Sequence, residues 1–285
     1  MTCIPGSPQI QNLIPMEYFG TTASAAPWLG IAASLLVGIP GYLYLDHQVR
    51  KAKKEGRGYE EDQAYVHMES EAQNSSKWMW LGGFLPLVVV FLSLNVLKWD
   101  VVISLIAGIL ACCLFGIRKI RHLPEALTEG AKSSVTAMMN SASAVGFGAV
   151  IRIVPGFALL TSLLIRNAAS PFSLLLSESM STVILSGATG SASGGLSITL
   201  ATFADQYLQM AGQLGVSPDL LHRFASIASG SLDKLPHNGA VITLLAVSHC
   251  SHKEAYRDIL VVSVLIPMAV LILLVFLCGL CCFPA

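Results

Sequence analysis

Between Leu185 and Leu196 the chain reads Leu-Ser-Gly-Ala-Thr-Gly-Ser-Ala-Ser-Gly-Gly-Leu, a run of glycine and small hydroxyl residues inside apolar sequence. Glycine and serine have low helix propensity, so this run predicts an interruption of helical backbone. Hydrocarbon cannot solvate free peptide groups, so such a break is tolerated only inside protein or beside a water-filled cavity. A second break is predicted over Ser229–Gly239, which holds glycine, proline and charged residues. Paired breaks of this kind indicate the binding site of a secondary transporter.

The composition is that of a membrane protein. Of the 285 residues 54% are hydrophobic and 12% are charged, against about a quarter charged in soluble domains. The formal net charge is zero, which argues against a nucleic-acid partner. We expect no cofactor and no metal site, since the Cys278-x-x-Cys281 spacing has no His or acidic residue nearby to complete a usual zinc site.

Seven segments divide the chain. Four apolar runs have the length of membrane-spanning helices, about 20 residues, or come close to it: Ala26–Leu45, Trp78–Leu97, Val101–Ile117 and Ile259–Phe283. The Gly/Ser-rich region before the last run divides into Ser133–Ile165, Pro171–Met210 and His222–His249. We therefore predict a multi-pass membrane protein.

The basic residues orient these segments. Clusters of Lys and Arg follow the first and third runs, and cytoplasmic loops carry such clusters. Pro171–Met210 is either two full spans or a hairpin that enters and leaves the membrane on one face. Its central turn has no basic residue to anchor it in the cytoplasm, which favours the re-entrant hairpin.

The spacing of the breaks suggests an inverted repeat. The segment Pro5–Pro15 resembles a broken helix, and the gap from it to the first span is similar to the gap between the second break and the last span. Three regions follow: residues 1–48 as the tail of a first repeat, 49–77 as a cytoplasmic linker, and 78–285 as a second repeat. The second repeat would hold a hairpin over about 171–212 and a broken helix over about 222–249.

Four motifs in order carry a resemblance to a known family. They are Pro5-Gly-Ser-Pro-Gln-Ile-Gln-Asn12, Asn140-Ser-Ala-Ser-Ala-Val-Gly-Phe-Gly-Ala-Val150, Gly190-Ser-Ala-Ser-Gly-Gly-Leu196 and Leu232-Asp-Lys-Leu-Pro-His-Asn-Gly-Ala-Val-Ile-Thr243. Together they resemble the gluconate permease family, with the last motif closer to its hydroxybutyrate-permease branch. The resemblance implies an inner-membrane symporter that imports small hydroxy-carboxylates with protons. It also implies an all-α fold of the ion-transporter type, with a re-entrant hairpin and a broken helix in each repeat.

The resemblance covers only the C-terminal part of the family. Its members are longer at the N-terminus, where the first hairpin lies, so we expect most of the first repeat to be missing here. A truncated or split-gene fragment that is not competent alone is therefore the alternative function. The expected partners are a hydroxy-acid, a proton or sodium ion, the bilayer, and a homo-oligomer or a separate N-terminal half.

The two breaks supply the predicted substrate site. A hydroxy-carboxylate needs N–H and O–H donors, and the N-termini of half-helices also provide a favourable dipole. We predict substrate contacts from the first break, the second break and the N-terminal segment, namely Thr189, Gly190, Ser191, Ser193 and Gly194; Ser229, Ser231 and Asn238; and Gln9, Gln11 and Asn12. The alternatives are that the small residues only permit close helix packing and that the N-terminal amides only bond freed backbone.

The second break also holds ionisable groups at a depth where charge is costly. Asp233 and His237 are the predicted proton-coupling residues, because imidazole exchanges protons near neutral pH. Asp233 would pair with His237 or with Lys234. In the alternative, Asp233 caps a half-helix that begins near Pro236 and His237 only bonds backbone.

The sequence also holds two charged residues in its apolar segments, and it allows an enzyme as another class of function. Arg152 and Glu178 lie in apolar segments. We interpret them as a structural ion pair, with a contact of Arg152 to a substrate carboxylate as the alternative. An intramembrane enzyme is a remote alternative, since the chain has neither a Gly-x-Ser-x-Gly nucleophile motif nor a His-Glu-x-x-His zinc motif. We therefore predict a carrier that is not an enzyme.

Overall fold

A computed structural model describes residues 4–56, 79–116, 123–154, 156, 169–248 and 250–280. Every regular element in these ranges is a helix, as the composition predicts. The helices are α1 Ile10–Phe19, α2 Pro27–Lys54, α3 Met79–Asn95, α4 Val101–Gly116, α5 Leu123–Ile153, α6 Pro171–Thr189, α7 Ala192–Leu214, α8 Pro218–Ser229, α9 Gly239–Val247, α10 His252–Leu260 and α11 Ile266–Leu280. A π-helical turn over Val261–Leu265 joins α10 to α11.

The described chain forms two compact units. One contains residues 1–42 and 129–285, and the other contains residues 43–128. In the second unit α3 packs against α4. Gly108 allows this close approach, because a Cβ atom there would overlap the side chain of Val90.

The core of the larger unit is built around α8. Every residue from Leu221 to Ser229 is buried, and α1, α6, α7 and α11 all pack against this helix. Ser217 caps its N-terminus by accepting a hydrogen bond from the Asp219 N–H at 3.2 Å. A helix with apolar and polar residues buried on all sides belongs to the interior of a helical bundle.

Helices α6 and α7 form an antiparallel hairpin. Ser170 and Ser173 start α6 with a reciprocal capping box, which satisfies two backbone donors at the helix end. The turn between the helices is Gly190, whose φ of +59° is a conformation that glycine adopts without a Cβ penalty. Ser191 then caps α7 by accepting from the Gly194 N–H at 3.1 Å.

Gly195 brings the two arms of the hairpin together near this turn. A Cβ atom at Gly195 would overlap the backbone nitrogen, the Cα and the hydroxyl of Ser186 on α6. The small residues of the first break therefore have a packing role, as one of the alternatives predicted, in addition to any role in binding.

The predicted apolar runs coincide with α2, α3, α4 and the continuous segment from α10 to α11. Two of these are long and apolar enough to cross a membrane, Pro27–Lys54 and His252–Gly279. This supports the predicted transmembrane character. Helices α6 and α7 with the turn between them cover residues 171–214, and α8 and α9 flank an irregular stretch over 230–238. That they form a re-entrant hairpin and a broken helix of the transporter type stays a prediction.

The structure differs from the expected boundaries at several helix ends. Helix α2 continues to Lys54, beyond the predicted Leu45, and the last helical segment begins at His252 rather than Ile259. Helix α5 begins at Leu123, ten residues before the predicted start, because Pro124, Glu125 and the Glu129–Lys132 pair at 3.3 Å favour a helix start. The second half of the broken helix begins at Gly239 rather than near Pro236. Residues 57–77 of the predicted linker, residue 78 and most of 154–168 lie outside the described residues. The inverted repeat and the domain limits stay predictions.

We predict that Gly195→Ala destabilises the hairpin, whereas Gly212→Ala does not. Both glycines lie in α7, but a Cβ at Gly212 meets nothing within 4 Å. Overpacking at Gly195 should cost about 1–3 kcal/mol, while Ala at Gly212 should gain up to about 1 kcal/mol from helix propensity. Thermal unfolding in detergent measures both. Equal melting temperatures for the two variants would contradict the close crossing at Ser186.

Candidate functional site

The hairpin turn and the break of the second broken helix lie against each other. The side-chain amide of Asn238 donates to the carbonyl of Gly190 at 2.7 Å and to the carbonyl of Asp233 at 2.8 Å. Its side-chain oxygen accepts from the Val241 N–H at 2.9 Å. One buried side chain thus connects the hairpin turn, the break and the first turn of α9.

His237 makes a second connection between the same two segments. Its Nε2 atom donates to the carbonyl of Gly187 at 3.1 Å. The ring lies so close to Gly190 that a Cβ atom there would be 2.7 Å from Cδ2. Glycine therefore suits position 190 because of its φ angle, and a side chain there would also displace the His237 ring. His237 bonds backbone, as one alternative predicted, while the ring itself remains exposed.

Asp233 pairs with Lys234, which decides between the two partners considered for it. The Lys234 ammonium bonds one carboxylate oxygen, and the Asp233 side chain is buried. The other oxygen has no hydrogen-bond partner within the described ranges. The alternative that Asp233 caps the second half-helix is wrong, because Asn238 fills that position.

The predicted hydroxyl groups of the turn are half-buried rather than enclosed. Thr189 donates to the carbonyl of Leu185 at 2.8 Å, and Ser191 caps α7. Ser193 lies 3.4 Å from the Ser191 hydroxyl. Hydroxyl oxygens that donate to backbone retain lone pairs, and a serine hydroxyl rotates to suit its partner. Ser193 is the most available donor of the three.

The two serines of the second break are engaged locally. Ser229 donates to the carbonyl of Ser226 at 2.9 Å, and Ser231 donates to the carbonyl of Ile227 at 3.0 Å. Both side chains are fully buried. They satisfy the C-terminal carbonyl groups of α8, where helix geometry leaves acceptors without partners.

The N-terminal segment contacts the start of α8. The Asn12 side-chain oxygen accepts from Arg223 Nη1 at 3.0 Å and from His222 Nε2 at 3.2 Å. Its amide donates to the carbonyl groups of Ser7 and Ala23. Asn12 therefore satisfies freed backbone, as one alternative predicted, and also binds two buried side chains of α8.

Arg223 is a fully buried cation held by backbone carbonyl groups. Its Nε donates to the carbonyl of Ala25 at 2.9 Å, and Nη2 donates to the carbonyl of Ala23 at 3.3 Å. Beside it the Thr21 hydroxyl donates to Nδ1 of His222 at 2.6 Å. These bonds satisfy the acceptors that the irregular segment between α1 and α2 would leave free.

The other two predicted N-terminal amide residues, Gln9 and Gln11, contribute less to this network than Asn12 does. Gln9 is half-buried at the N-cap of α1 and its side chain makes no capping bond there. The backbone carbonyl of Gln11 accepts from the Ser226 hydroxyl at 3.0 Å. The described contacts of this segment thus place it against α8, whereas Gly190, Asp233, His237 and Asn238 form a separate cluster.

Sequence reasoning missed His222 and Arg223. A charged residue inside an apolar segment is a signal for a buried functional or structural group, and Arg223 carries that signal. Glu178 was identified, but its expected partner was not tested, since the side chain of Arg152 lies outside the described residues.

Two helix N-termini meet at the cluster of turn and break. The cap of α7 is Ser191 and the cap of α9 is Asn238, which bonds the turn residue next to Ser191. Each N-terminus carries free N–H groups and about half a positive charge. With the hydroxyls of Thr189, Ser191 and Ser193, this arrangement is suited to a small anion that also carries hydroxyl groups.

Comparison with known proteins gives one functional indication. The chain is 36% identical over 309 aligned positions to an uncharacterized transporter, YxjC, of Bacillus subtilis (strain 168). The alignment covers 95% of the chain and 65% of the relative, so the chain spans less than two thirds of that protein's length. The similarity supports a transporter family. The chain matches no family model and no solved structure.

The name of this relative supports a transport role for the chain. The printed name of the relative gives neither a substrate nor a coupling ion. The resemblance to gluconate and hydroxybutyrate permeases, and the symport that it implies, therefore remain predictions.

Proposed function

We propose that the chain is part of a secondary transporter that imports a small hydroxy-carboxylate together with protons. The contact between the hairpin turn and the second break carries this proposal. It joins two interrupted helices through Asn238 and places two helix N-termini side by side. Similarity to a transporter supports the class of function, and the resemblance to gluconate permeases supports the class of substrate.

The substrate would bind at the turn, with its carboxylate on free N–H groups and its hydroxyl on serine or threonine side chains. Gly190 and Gly194 let a ligand approach the backbone closely, because neither has a Cβ atom. Thr189, Ser191 and Ser193 would donate or accept hydrogen bonds. Asn238 would hold the pocket wall, while Ser229, Ser231, Gln9, Gln11 and Asn12 would support it through the backbone of α8 and the N-terminal segment.

Proton coupling would use the ionisable groups of the second break. Asp233 forms an ion pair with Lys234, and the exposed imidazole of His237 would take up and release the transported proton beside the turn. Because His237 also bonds the carbonyl of Gly187, its protonation would be linked to the position of the hairpin. Movement of the hairpin and the broken helix together, as one unit, would then give alternating access.

Uptake by proteoliposomes of the full-length protein tests this function. Labelled 3-hydroxybutyrate or gluconate should accumulate when the outside is more acidic than the inside. Ser193→Ala should raise the KM roughly 2-fold to 10-fold, the equivalent of a neutral hydrogen bond of about 0.5–1.5 kcal/mol. Ser134→Ala is the control, since that exposed hydroxyl bonds only its own helix in the described chain. If neither acid accumulates in the proteoliposomes, the proposal is refuted.

His237→Gln should uncouple substrate movement from proton movement. Glutamine can still donate to the carbonyl of Gly187 but cannot titrate, so substrate exchange should continue while substrate-driven proton uptake is lost. His252→Gln is the matched control, because His252 is exposed and also bonds a backbone carbonyl, that of Pro236 at 3.2 Å. A pH electrode records the proton flux. Unchanged proton uptake in His237→Gln would rule out this role.

A further inference from the structure

A carboxyl group lies deep in the first arm of the hairpin without a bonding partner. Glu178 is fully buried in α6, and within the described residues neither of its carboxyl oxygens has a hydrogen bond. An ionised carboxylate in such surroundings costs many kcal/mol, so the group carries a proton unless a cation or water reaches it. The contact between the hairpin turn and the second break does not explain why a carboxyl group is buried here without a partner.

Three hydroxyl groups on the same arm share this lack of partners. The side-chain oxygens of Ser179, Thr182 and Ser186 are buried and make no hydrogen bond in the described part of the chain. Elsewhere in the helices such hydroxyls bond the carbonyl one turn earlier, as those of Thr189, Thr199, Thr202, Thr243 and Ser181 do. The hydroxyls near Glu178 are therefore available, since each of them can donate to a carboxylate or accept from a carboxylic acid.

The spacing of these groups forms a stripe that leads to the turn. Glu178, Thr182, Ser186 and Gly190 are four residues apart, which places them on one side of α6 at steps of about 6 Å. Ser186 is adjacent to Gly187, whose carbonyl bonds His237. The stripe thus joins the buried carboxyl to the end of the hairpin where substrate is proposed to bind.

The groups that face α6 supply no neutralising cation for Glu178 in the described chain. Helices α7, α8 and α11 pack against α6, and their buried titratable side chains are Tyr207, His222, Arg223 and Cys278. Tyr207 is near enough to Glu178 for an electrostatic interaction, and its hydroxyl lies 3.0 Å from that of Ser181. Arg223 and His222 are bonded to Asn12 and the N-terminal segment.

We propose that Glu178 is an interior proton-binding site of the transport cycle, an inference that rests on the proposed function. The conformation described here is the proton-loaded one. When movement of the hairpin admits water along the stripe, the carboxylic acid loses its proton to that water. The Thr182 hydroxyl, one helical turn away, then donates to the carboxylate, and the Ser186 hydroxyl, a further turn along, bonds the entering water. A proton rather than a metal cation fits the site, because the group is fully enclosed and a proton needs no coordination cavity.

Chemical labelling of the wild-type protein tests the protonation directly. Dicyclohexylcarbodiimide reacts with carboxylic acids in apolar surroundings: the acid proton moves to a carbodiimide nitrogen and the carboxyl oxygen bonds the central carbon, with rearrangement to a stable N-acylurea. At neutral pH mass spectrometry should find Glu178 labelled at least tenfold more than Glu129, which is exposed on α5. Labelling of Glu178 no greater than that of Glu129 overturns the proposal.

Transport by variants tests the role in coupling. Glu178→Gln imitates the protonated form, so it should retain substrate exchange and lose at least tenfold in accumulation driven by a pH gradient. Glu178→Asp should recover part of that accumulation, and Glu129→Gln should behave as the wild type. Accumulation by Glu178→Gln at the wild-type level, or wild-type accumulation that follows a sodium gradient alone, overturns the proposal.

The two proposals fail in different ways. If the wild type accumulates no hydroxy-acid, the proposed function fails, while the carbodiimide result still decides whether Glu178 holds a proton. If the wild type accumulates substrate but Glu178→Gln does not fold, the labelling of the wild type decides the matter.

Discussion

Peptide groups that leave regular helix inside a membrane protein must find partners within the chain, because hydrocarbon offers none. The larger compact unit meets this requirement at the hairpin turn and at the second break by placing the two against each other. Asn238 donates to a carbonyl in each segment and accepts from the first turn of α9. Neither interruption would be stable alone in lipid, and each supplies bonds that the other lacks.

The same requirement explains the polar network at the other end of α8. The segment between α1 and α2 is irregular, and its Ala23 and Ala25 carbonyl groups accept from the buried Arg223. Asn12 completes the arrangement by bonding Arg223, His222 and the carbonyl of Ala23. The carbonyl dipoles around this cation stabilise its buried charge. This network therefore anchors the N-terminal segment to the buried helix.

Glu178 is the contrasting case, because nothing described in its surroundings satisfies it. Most buried polar groups in native proteins are hydrogen-bonded, and the exceptions tend to mark functional positions. A buried carboxyl without partners lowers the stability of the fold. A residue with a purely structural role would not carry that cost. Its place on a stripe leading to the turn connects this cost to the proposed transport cycle.

The helical class and the two breaks follow from the sequence, since apolar runs and glycine-serine interruptions are local properties. The pairing of the breaks could be expected from the transporter plan, but the bonds that make it could not. Asn238 rather than Asp233 caps α9, and Lys234 rather than His237 pairs with Asp233, because side-chain reach across a turn decides both. The role of Arg223 depends on a segment about 200 residues away, which no local pattern reveals. Pro124 and Glu125 indicate the early start of α5, because both residue types favour the first turn of a helix. A boundary placed by hydropathy alone falls later, at Ser133.

Hydrogen exchange in the Asn238→Ala variant tests most directly whether the two interruptions stabilise each other. The account predicts faster amide exchange in two separate peptides, residues 187–195 and residues 233–241, because the variant loses donors to both Gly190 and Asp233. Asn95→Ala is the matched control, since Asn95 donates to the Phe91 carbonyl of its own helix. Faster exchange confined to residues 233–241, with the hairpin turn unchanged, would contradict the account.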